Sequence, residues 1–255
     1  MLKIHVSLTA LAALLVLPLS AGAQSDDATP RPFAYSTYFQ CEPTEQWLVD
    51  MIVETVYKPV YDAAVEDGTI SAWGWLAHHT GGKWRRGLYS ISPTLETMLE
   101  ANEAISEKVR EANAQAARKF GEICNVHEDY IWRPVSGSGG AGSIDVATVP
   151  AKAGVSMYMV CDMAKQERAD EIMEIFAPVY NSHVGDGELS GWGWLEHSVG
   201  GEYRRLLTMR GADHESVLTA WGDIVEALQE GHEAAVTEFG EICYTHQDYM
   251  WDIVH

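Results

Sequence analysis

Two histidine–aspartate pairs carry the side chains best suited to acid–base chemistry. His127 and Asp129 lie two residues apart, and His246 and Asp248 repeat that spacing later in the chain. Residues two apart on a β-strand share one face, so each carboxylate could orient its imidazole as a general base. A pair on an exposed strand edge is the alternative interpretation. Two ligands are too few for a metal ion, and no zinc-type ligand spacing is present, so we predict no metal site.

A second set of residues combines indole, guanidinium and imidazole groups. Its members are Trp73, Trp75, Arg86, His79, Trp192, Trp194 and Arg205. Apolar aromatic walls with a few fixed polar groups are typical of small-molecule sites. We therefore predict that these residues bind a small, partly aromatic or anionic molecule. The alternative is that the four indoles only pack as a core.

An internal repeat relates the two halves of the chain. The motif Trp-Gly-Trp-Leu at Trp73 recurs at Trp192, and Phe-Gly-Glu-Ile-Cys at Phe120 recurs at Phe239, both 119 residues later. Before Pro59 the offset between matching residues is 120. Self-similarity with this spacing predicts two copies of one domain in tandem.

The N-terminus has the pattern of a secretory signal. A mostly apolar run from Leu8 to Leu19 is followed by the small residues Ser20-Ala21-Gly22-Ala23, which predicts cleavage before Gln24. The mature chain is then expected to be soluble and periplasmic or secreted, with no membrane span. The predicted organisation is a signal peptide at 1–23, a disordered segment at 24–32, a first copy at 33–134, a flexible Gly/Ser linker at 135–152 and a second copy at 153–255.

Each copy is predicted to contain elements in the order β-α-β-β-α-β. In the first copy, Pro59 should kink the first helix, and Ser92 should be the N-cap of the second. This order resembles the ferredoxin-like fold. Two such units in one chain are similar to the dimeric α+β barrel superfamily, whose antiparallel sheets face one another and enclose a barrel. The expected fold class is therefore α+β.

The four cysteines occupy matching places in the two copies. In a ferredoxin-like sheet the first and last strands are antiparallel neighbours; Cys41 ends the first strand and Cys124 precedes the last. The resemblance therefore implies the disulfides Cys41–Cys124 and Cys161–Cys243. Among the three pairings that four cysteines allow, only this one respects the repeat without linking the copies. An oxidising compartment permits both bridges.

The central hairpin decides which candidate residues share a face. A two-residue Gly81-Gly82 turn pairs Ala77 with Arg86 and Trp75 with Leu88. Strand alternation then puts Trp73, Trp75, Ala77 and His79 on one face, and Gly74, Leu76 and His78 on the other. We expect the tryptophan face to look into the barrel and the glycine face to pack against helices.

Differences between the copies predict that the first one is active. Glu196 lies opposite Arg205 and could neutralise it, whereas Ala77 lies opposite Arg86. An unpaired Arg86 would make the first copy the better anion site. His79, which is replaced in the second copy by serine, points the same way.

Composition and resemblance together give three possible functions. The chain has 37 acidic and 17 basic residues and a net charge of −20, which argues against nucleic acid or an anionic membrane as the partner. The first function is binding of a small molecule in the barrel. The second is implied by the resemblance: a cofactor-free monooxygenase, or a haem enzyme such as a chlorite dismutase or dye-decolourising peroxidase. His127 or His246 would then be the base or the haem ligand, beside Arg86 or Arg205. The third is a non-catalytic scaffold. No cofactor motif is evident, and the oligomeric state is left open.

Overall fold

A computed structural model describes residues 32–138 and 151–255. The predicted signal peptide and most of the predicted linker lie outside these ranges. In the described part of the chain, no helix is both long enough and apolar enough to cross a membrane.

The first half contains four strands and three long helical segments. Its elements are β1 (Phe33–Gln40), a 3₁₀ turn (Pro43–Glu45), α1 (Gln46–Ile52), a π-helical turn (Val53–Tyr57), α2 (Lys58–Glu66), β2 (Ala72–Gly81), β3 (Arg86–Ser92), α3 (Leu95–Ile123) and β4 (Val126–Ser138). A π-helical turn lies just before Pro59 and joins α1 to α2 without a break. The proline alone does not account for this turn, because the matching Pro178 lies inside an uninterrupted helix. The predicted N-cap at Ser92 is wrong, because Ser92 still belongs to β3 and Thr94 caps α3 through the backbone N–H of Thr97.

The second half has the same order of strands and helices. Its elements are β5 (Ala153–Val160), α4 (Gln166–Gly185), β6 (Gly191–Val199), β7 (Arg205–Gly211), α5 (His214–Ile242) and β8 (Thr245–Ile253). Here Pro178 lies inside an uninterrupted α4. Residues 135–138, where the linker was predicted, continue β4 because they pair with β6.

The eight strands form one closed antiparallel barrel, with the helices outside it. Around the barrel the order is β1-β3-β2-β8-β5-β7-β6-β4. Each half contributes four adjacent strands, and two seams join the halves, β2 with β8 and β4 with β6. The α+β class and the α+β barrel architecture are therefore confirmed. The hairpin register is also as predicted, with Trp75 opposite Leu88 and Ala77 opposite Arg86.

Both predicted disulfides are present. Cys41 is bonded to Cys124 and Cys161 to Cys243, which closes loops with sequence separations of 83 and 82 residues. The pairing follows from topology, because Gln40 lies opposite Val126 and so places the adjoining cysteines side by side. Loops of this length correspond to a stabilisation of about 4–5 kcal/mol in the chain-entropy model.

The predicted orientation of the tryptophan face is wrong. Trp75 donates its indole N–H to Asp50 Oδ1 of α1 at 2.9 Å, and Trp73 donates to Asp62 Oδ1 of α2 at 2.9 Å. A buried indole N–H needs an acceptor, and the helices supply it. On the opposite face, a Cβ at Gly74 would lie 2.3 Å from the Tyr89 ring, so this glycine makes room for an aromatic residue inside the barrel.

The second half shows the same reversal. Trp192 donates to Asn181 Oδ1 and Trp194 donates to Asp170 Oδ1, both at 2.8 Å. Both indoles belong to the hydrophobic core between the second-half sheet and its helices. The four tryptophans of the two Trp-Gly-Trp-Leu motifs therefore stand outside the barrel, under the helices.

Other aromatic residues fill the barrel interior. They are Tyr38, Trp84, Tyr130, Trp132, Tyr158, Tyr203, Tyr249 and Trp251. Trp84 stacks between Tyr38 and Tyr249, with ring centroids 4.4 and 4.9 Å away. A cavity of about 90 Å³ adjoins this cluster, well below the roughly 300–1,000 Å³ of ordinary ligand pockets. The interior is thus a packed aromatic core.

Candidate functional site

The two predicted pocket arginines are tied to the helices. Arg86 donates from Nε and Nη2 to both carboxylate oxygens of Asp50, at 2.7 and 2.6 Å, and from Nη1 to Gln46. Its side chain is 7 % exposed. The expectation of an unpaired Arg86 is therefore wrong. Its charge is neutralised by Asp50 on α1, a contact that the hairpin register could not reveal.

The second half repeats this arrangement. Arg205 binds both oxygens of Asp170, at 2.7 and 2.8 Å, and also donates to Gln166. Glu196 lies opposite Arg205 as predicted but forms its ion pair with Arg133 of β4. The predicted neutralisation of Arg205 by Glu196 is therefore wrong. Each arginine joins the sheet of its half to a helix through an ion pair. Because both halves have this ion pair, it gives no reason to assign the site to the first half.

A cleft opens in the first half between the outer face of the sheet and the helices. Its volume is about 240 Å³, and it shares Tyr57, Tyr61 and Ser106 with a neighbouring hollow of about 330 Å³. The rings of Phe39 and Phe120 form an apolar wall of the cleft. The polar groups that line it are Tyr35, Thr37, Ser90, Asn102, Ser106, His127 and Asp129. One predicted histidine–aspartate pair is therefore part of a cleft.

Asp129 is the centre of the polar wall. It lies directly opposite Thr37 in the pairing of β1 with β4, and Thr37 Oγ1 donates to Asp129 Oδ1 at 2.7 Å. His127 Nε2 is 3.4 Å from Asp129 Oδ2. The His127 and Asp129 side chains are 52 % and 39 % exposed, so the pair stands at the mouth of the cleft. A carboxylate in this position can orient the imidazole.

Tyrosine hydroxyls supply hydrogen-bond donors to the cleft. Burial, together with the neighbouring Asp129 carboxylate, raises the pKa of Tyr35 to about 12, and Asn102 of α3 lies within hydrogen-bonding reach of the same hydroxyl. Burial raises the pKa of Tyr57 to about 12 as well. Both phenols are therefore protonated at neutral pH. The cleft combines a base at its mouth with neutral O–H donors on its walls.

Four polar positions of the cleft are occupied by apolar residues in the second half. The strand pairings establish the match, because Tyr35 lies opposite Ser90 in the first half and Val155 lies opposite Met209 in the second. The corresponding pairs are Tyr35 and Val155, Thr37 and Met157, Ser90 and Met209, and Asn102 and Trp221. Val155, Met157 and Met209 are buried in the second-half core, and Trp221 packs against it. Long apolar side chains thus occupy the positions that carry polar groups in the first half.

The second histidine–aspartate pair has different surroundings. His246 Nδ1 lies 2.6 Å from Asp248 Oδ1, and both side chains are about half exposed. The residue opposite Asp248 is Met157 instead of threonine. The structure therefore brings both predicted pairs together, but only His127 and Asp129 line the polar cleft.

His79 lies apart from the cleft. It sits at the exposed end of β2, with Nδ1 3.4 Å from Asp252 Oδ1 of β8. None of the predicted pocket tryptophans or arginines lines the cleft either. The cleft residues Tyr35, Thr37, Ser90 and Asn102 were missed from the sequence. The signal that could have found them is their replacement by larger or apolar residues in the second copy.

Haem, which the resemblance allows as a cofactor, does not fit this cleft. Phe120 stacks on Tyr57 with centroids 4.9 Å apart and packs edge-on against Phe39 at 5.2 Å, so these rings supply apolar wall and no ligand for iron. The lining histidine, His127, is half exposed at the mouth and faces Asp129. The cysteines are bonded to each other, and the raised pKa of Tyr35 disfavours the phenolate needed for iron ligation.

Comparison with known proteins shows the fold and leaves the family open. No protein-family model matches the chain, and no curated protein matches it. Among solved structures, a candidate monooxygenase from Lactobacillus acidophilus has a TM-score of 0.59 at 6 % identity, covering 88 % of this chain and 94 % of its own. An anthrone oxidase-like protein has a TM-score of 0.54 at 14 % identity, covering 89 % and 92 %. A variant chlorite dismutase from Candidatus Nitrospira defluvii has a TM-score of 0.54 at 9 % identity, covering 88 % and 91 %. The chain has the dimeric α+β barrel fold.

Proposed function

We propose that the first-half cleft binds a small molecule that carries an aromatic ring and hydroxyl or carbonyl groups. The observation that carries the proposal is the difference between the halves. Positions that hold Tyr35, Thr37, Ser90 and Asn102 in the first half hold valine, methionine and tryptophan in the second. A fold core gains nothing from polar groups around an open space, because polar groups near a core need partners. Thr37 and Asp129 are partners of each other, and a ligand with its own donors and acceptors would pair with the hydrogen-bonding capacity that the wall has left.

We propose further that the bound molecule is oxidised without a cofactor. His127, oriented by Asp129, would take a proton from the ligand, while the neutral Tyr35 hydroxyl donates to an oxygen of the resulting anion. Loss of a proton makes an aromatic alcohol or ketone electron-rich, so that its carbon bonds to one oxygen atom of dioxygen and the other oxygen takes up the proton as a hydroperoxide. The hydroperoxide then loses water as its O–O bond breaks, which leaves a new carbonyl group on the ligand (RH2 + O2 → R=O + H2O). The fold of the monooxygenase and anthrone oxidase-like structures supports this choice over an inert scaffold.

The proposed history is a tandem duplication of a ferredoxin-like unit, followed by specialisation of the first copy. Support comes from the repeated motifs, the repeated order of elements and the matching disulfides. We also propose export, since two disulfides are compatible with an oxidising compartment and the first 23 residues have the pattern of a signal peptide.

Binding and turnover of anthrone test the two parts of the proposal separately. Anthrone is a tricyclic aromatic ketone with an acidic C–H, and it serves here as the probe. Wild-type protein should bind it with tryptophan-fluorescence changes, whereas Tyr35→Val and Asn102→Trp, which introduce the second-half residues, should weaken binding at least tenfold. Val155→Ala in the second half is the matched control and should bind as wild type does. Equal binding by all four proteins would refute the site.

Oxygen uptake distinguishes an enzyme from a binding protein. For an enzyme, His127→Ala should lower the rate of anthrone-dependent oxygen consumption by about 10²–10⁴-fold, the usual contribution of a positioned base, with little change in Kd. His246→Ala is the control and should leave the rate unchanged. A second probe is the aromatic alcohol 2-naphthol. If wild-type protein binds anthrone but consumes no oxygen with either probe, the protein is a binding protein and the proposed oxidation is wrong. A Soret band after incubation with haemin that is lost in His127→Ala would contradict the cofactor-free proposal.

A further inference from the structure

Three side chains with metal-binding atoms meet at one seam of the barrel. His79 lies near the end of β2 in the first half, Asp252 lies on β8 in the second half, and His214 is the first residue of α5. One nitrogen or oxygen atom of each lies within 4.8 Å of the others. His214 Nε2 is 2.7 Å from Asp252 Oδ1, and His79 Nδ1 is 3.4 Å from the same oxygen.

The strand pairing explains how these groups come together. Asp252 lies directly opposite Ala77, whose methyl group is too short to cover it. The register of the β2–β8 pairing shifts at His79, between His78 and Thr80, and the His79 ring reaches the carboxylate. The start of α5 brings the His214 ring alongside, with the two imidazole centroids 3.9 Å apart. The set is assembled from both halves of the chain.

We propose that His79, His214 and Asp252 bind one divalent transition-metal ion of the zinc class. Two imidazole nitrogens and one carboxylate oxygen are the ligand types that Zn²⁺ takes, with bonds of about 2.0–2.2 Å, so that atoms sharing a tetrahedral ion lie on the order of 3.3 Å apart. The 3.4 Å between His79 Nδ1 and Asp252 Oδ1 agrees with this value. His214 Nε2 and Asp252 Oδ1 are hydrogen-bonded at 2.7 Å and would move apart to share an ion. Ca²⁺ takes six or more oxygen ligands and is a poor match to the imidazoles.

The other seam of the barrel shows that the fold itself does not require this set. At the positions that match His79, His214 and Asp252, the β4–β6 seam has Ser198, Leu95 and Arg133. There Arg133 forms an ion pair with Glu196, the counterpart of Ala77. At this matching position, one ion pair between the two strands takes the place of the three-residue set. The β2–β8 seam instead has two histidines sharing one carboxylate, with no basic residue opposite it in the strand pair.

An ion could enter this site from solvent. The side chains of His79, His214 and Asp252 are 48 %, 22 % and 50 % exposed. Three protein ligands leave a fourth position on a tetrahedral ion for water, as in catalytic zinc sites. None of the three residues lines the first-half cleft, so metal binding and ligand binding in the cleft are independent claims.

Calorimetric titration of the untagged mature chain with ZnCl₂, after dialysis against EDTA, tests the site. One equivalent of Zn²⁺ should bind, and Co²⁺ should bind with visible absorption bands from a four-coordinate ion. His79→Ser and His214→Leu, which introduce the residues of the other seam, should each weaken Zn²⁺ affinity at least tenfold. His246→Ala is the control, because His246 is an exposed β8 histidine beside an aspartate and lies outside the cluster.

Melting curves recorded without metal show whether each variant is folded, and Zn²⁺ should raise the Tm of wild-type and His246→Ala protein only. Since His79 is exposed at a strand end, its serine variant keeps the test open if His214→Leu fails to fold. The proposal is overturned if wild-type protein binds no stoichiometric Zn²⁺, if His79→Ser binds it as tightly as wild type, or if Ca²⁺ competes equally for the site.

Discussion

Arg86 links the first-half sheet to α1 by hydrogen bonds to both carboxylate oxygens of Asp50. Arg86→Ala would leave that carboxylate with only the Trp75 indole as a sheet partner. Breaking a buried ion pair costs about 3–5 kcal/mol. The Asp50 side chain is 34 % exposed and keeps some water, so we expect the free energy of unfolding to fall by about 2–3 kcal/mol. Urea denaturation monitored by circular dichroism measures the loss.

The matched control is Arg133→Ala. The side chain of Arg133 is 46 % exposed in its ion pair with Glu196, and exposed pairs contribute about 0–1 kcal/mol. If Arg86→Ala were no more destabilising than Arg133→Ala, the structural role assigned to Arg86 would be wrong.

His78 and His197 make the free energy of unfolding depend on pH. Burial, and then the neighbouring Arg85, lower the pKa of His78 from its usual 6.5, and burial with Arg204 does the same for His197. Below pH 6.5 the unfolded chain therefore binds more protons than the folded chain, so these histidines reduce stability as the pH falls. The Tm should drop less between pH 7 and 5 in a His78→Gln, His197→Gln double variant than in the wild type. Parallel curves would contradict this account.

Residue types and spacing predicted which side chains share a face, but not which face is inside. Strand alternation correctly grouped Trp75 with Arg86, because it depends only on local geometry. The choice of side depends on partners that are distant in sequence, such as Asp50 and Asp62 on the helices. The small size of Gly74 suggests close helix packing from sequence, whereas in the structure it leaves room for the Tyr89 ring inside the barrel.

At the scale of elements, the order of strands and helices, the hairpin register and the disulfides were all predictable. The order of elements and the hairpin register depend on patterns within a few residues. The disulfides depend on the pairing of the first strand of each half with the last. The cleft was not predicted, because its walls come from β1, β3, β4, α3, α2 and the π-helical turn before α2 together. A position-by-position comparison of the two copies would have revealed the polar set.

The two disulfides should stabilise their halves equally. Each links the end of the first strand of its half to the start of the last, across separations of 83 and 82 residues. Replacing both cysteines of either bridge by serine should lower the free energy of unfolding by about 2–5 kcal/mol, and the two double variants should agree within about 1 kcal/mol. Urea denaturation under non-reducing conditions measures both. A bridge whose loss costs nothing would show that its strand ends are held by other contacts.

At the scale of the whole molecule, the barrel closes because each half covers the open edges of the other. The edge strands of the first half are β2 and β4, which pair with β8 and β6. A fragment of residues 24–138 would expose both edges, and unpaired strand edges seek partners. We therefore expect the fragment to form a homodimeric barrel with β2 of one copy against β4 of the other.

Analytical ultracentrifugation measures this assembly. A dimer that dissociates into unfolded chains on dilution is the expected result, with the intact chain at equal concentration as the control. A stable, folded monomer of the fragment would contradict the view that the seams complete each half.

The central claim is that a ligand binds in the cleft of the first half. An NMR titration of the ¹⁵N-labelled mature chain with anthrone tests it most directly, because backbone amide shifts locate the bound molecule. We expect the largest shifts at Thr37, Asn102 and Asp129, with little change at their counterparts Met157, Trp221 and Asp248. Equal shifts in both halves, or shifts centred on Trp84 inside the barrel, would contradict it.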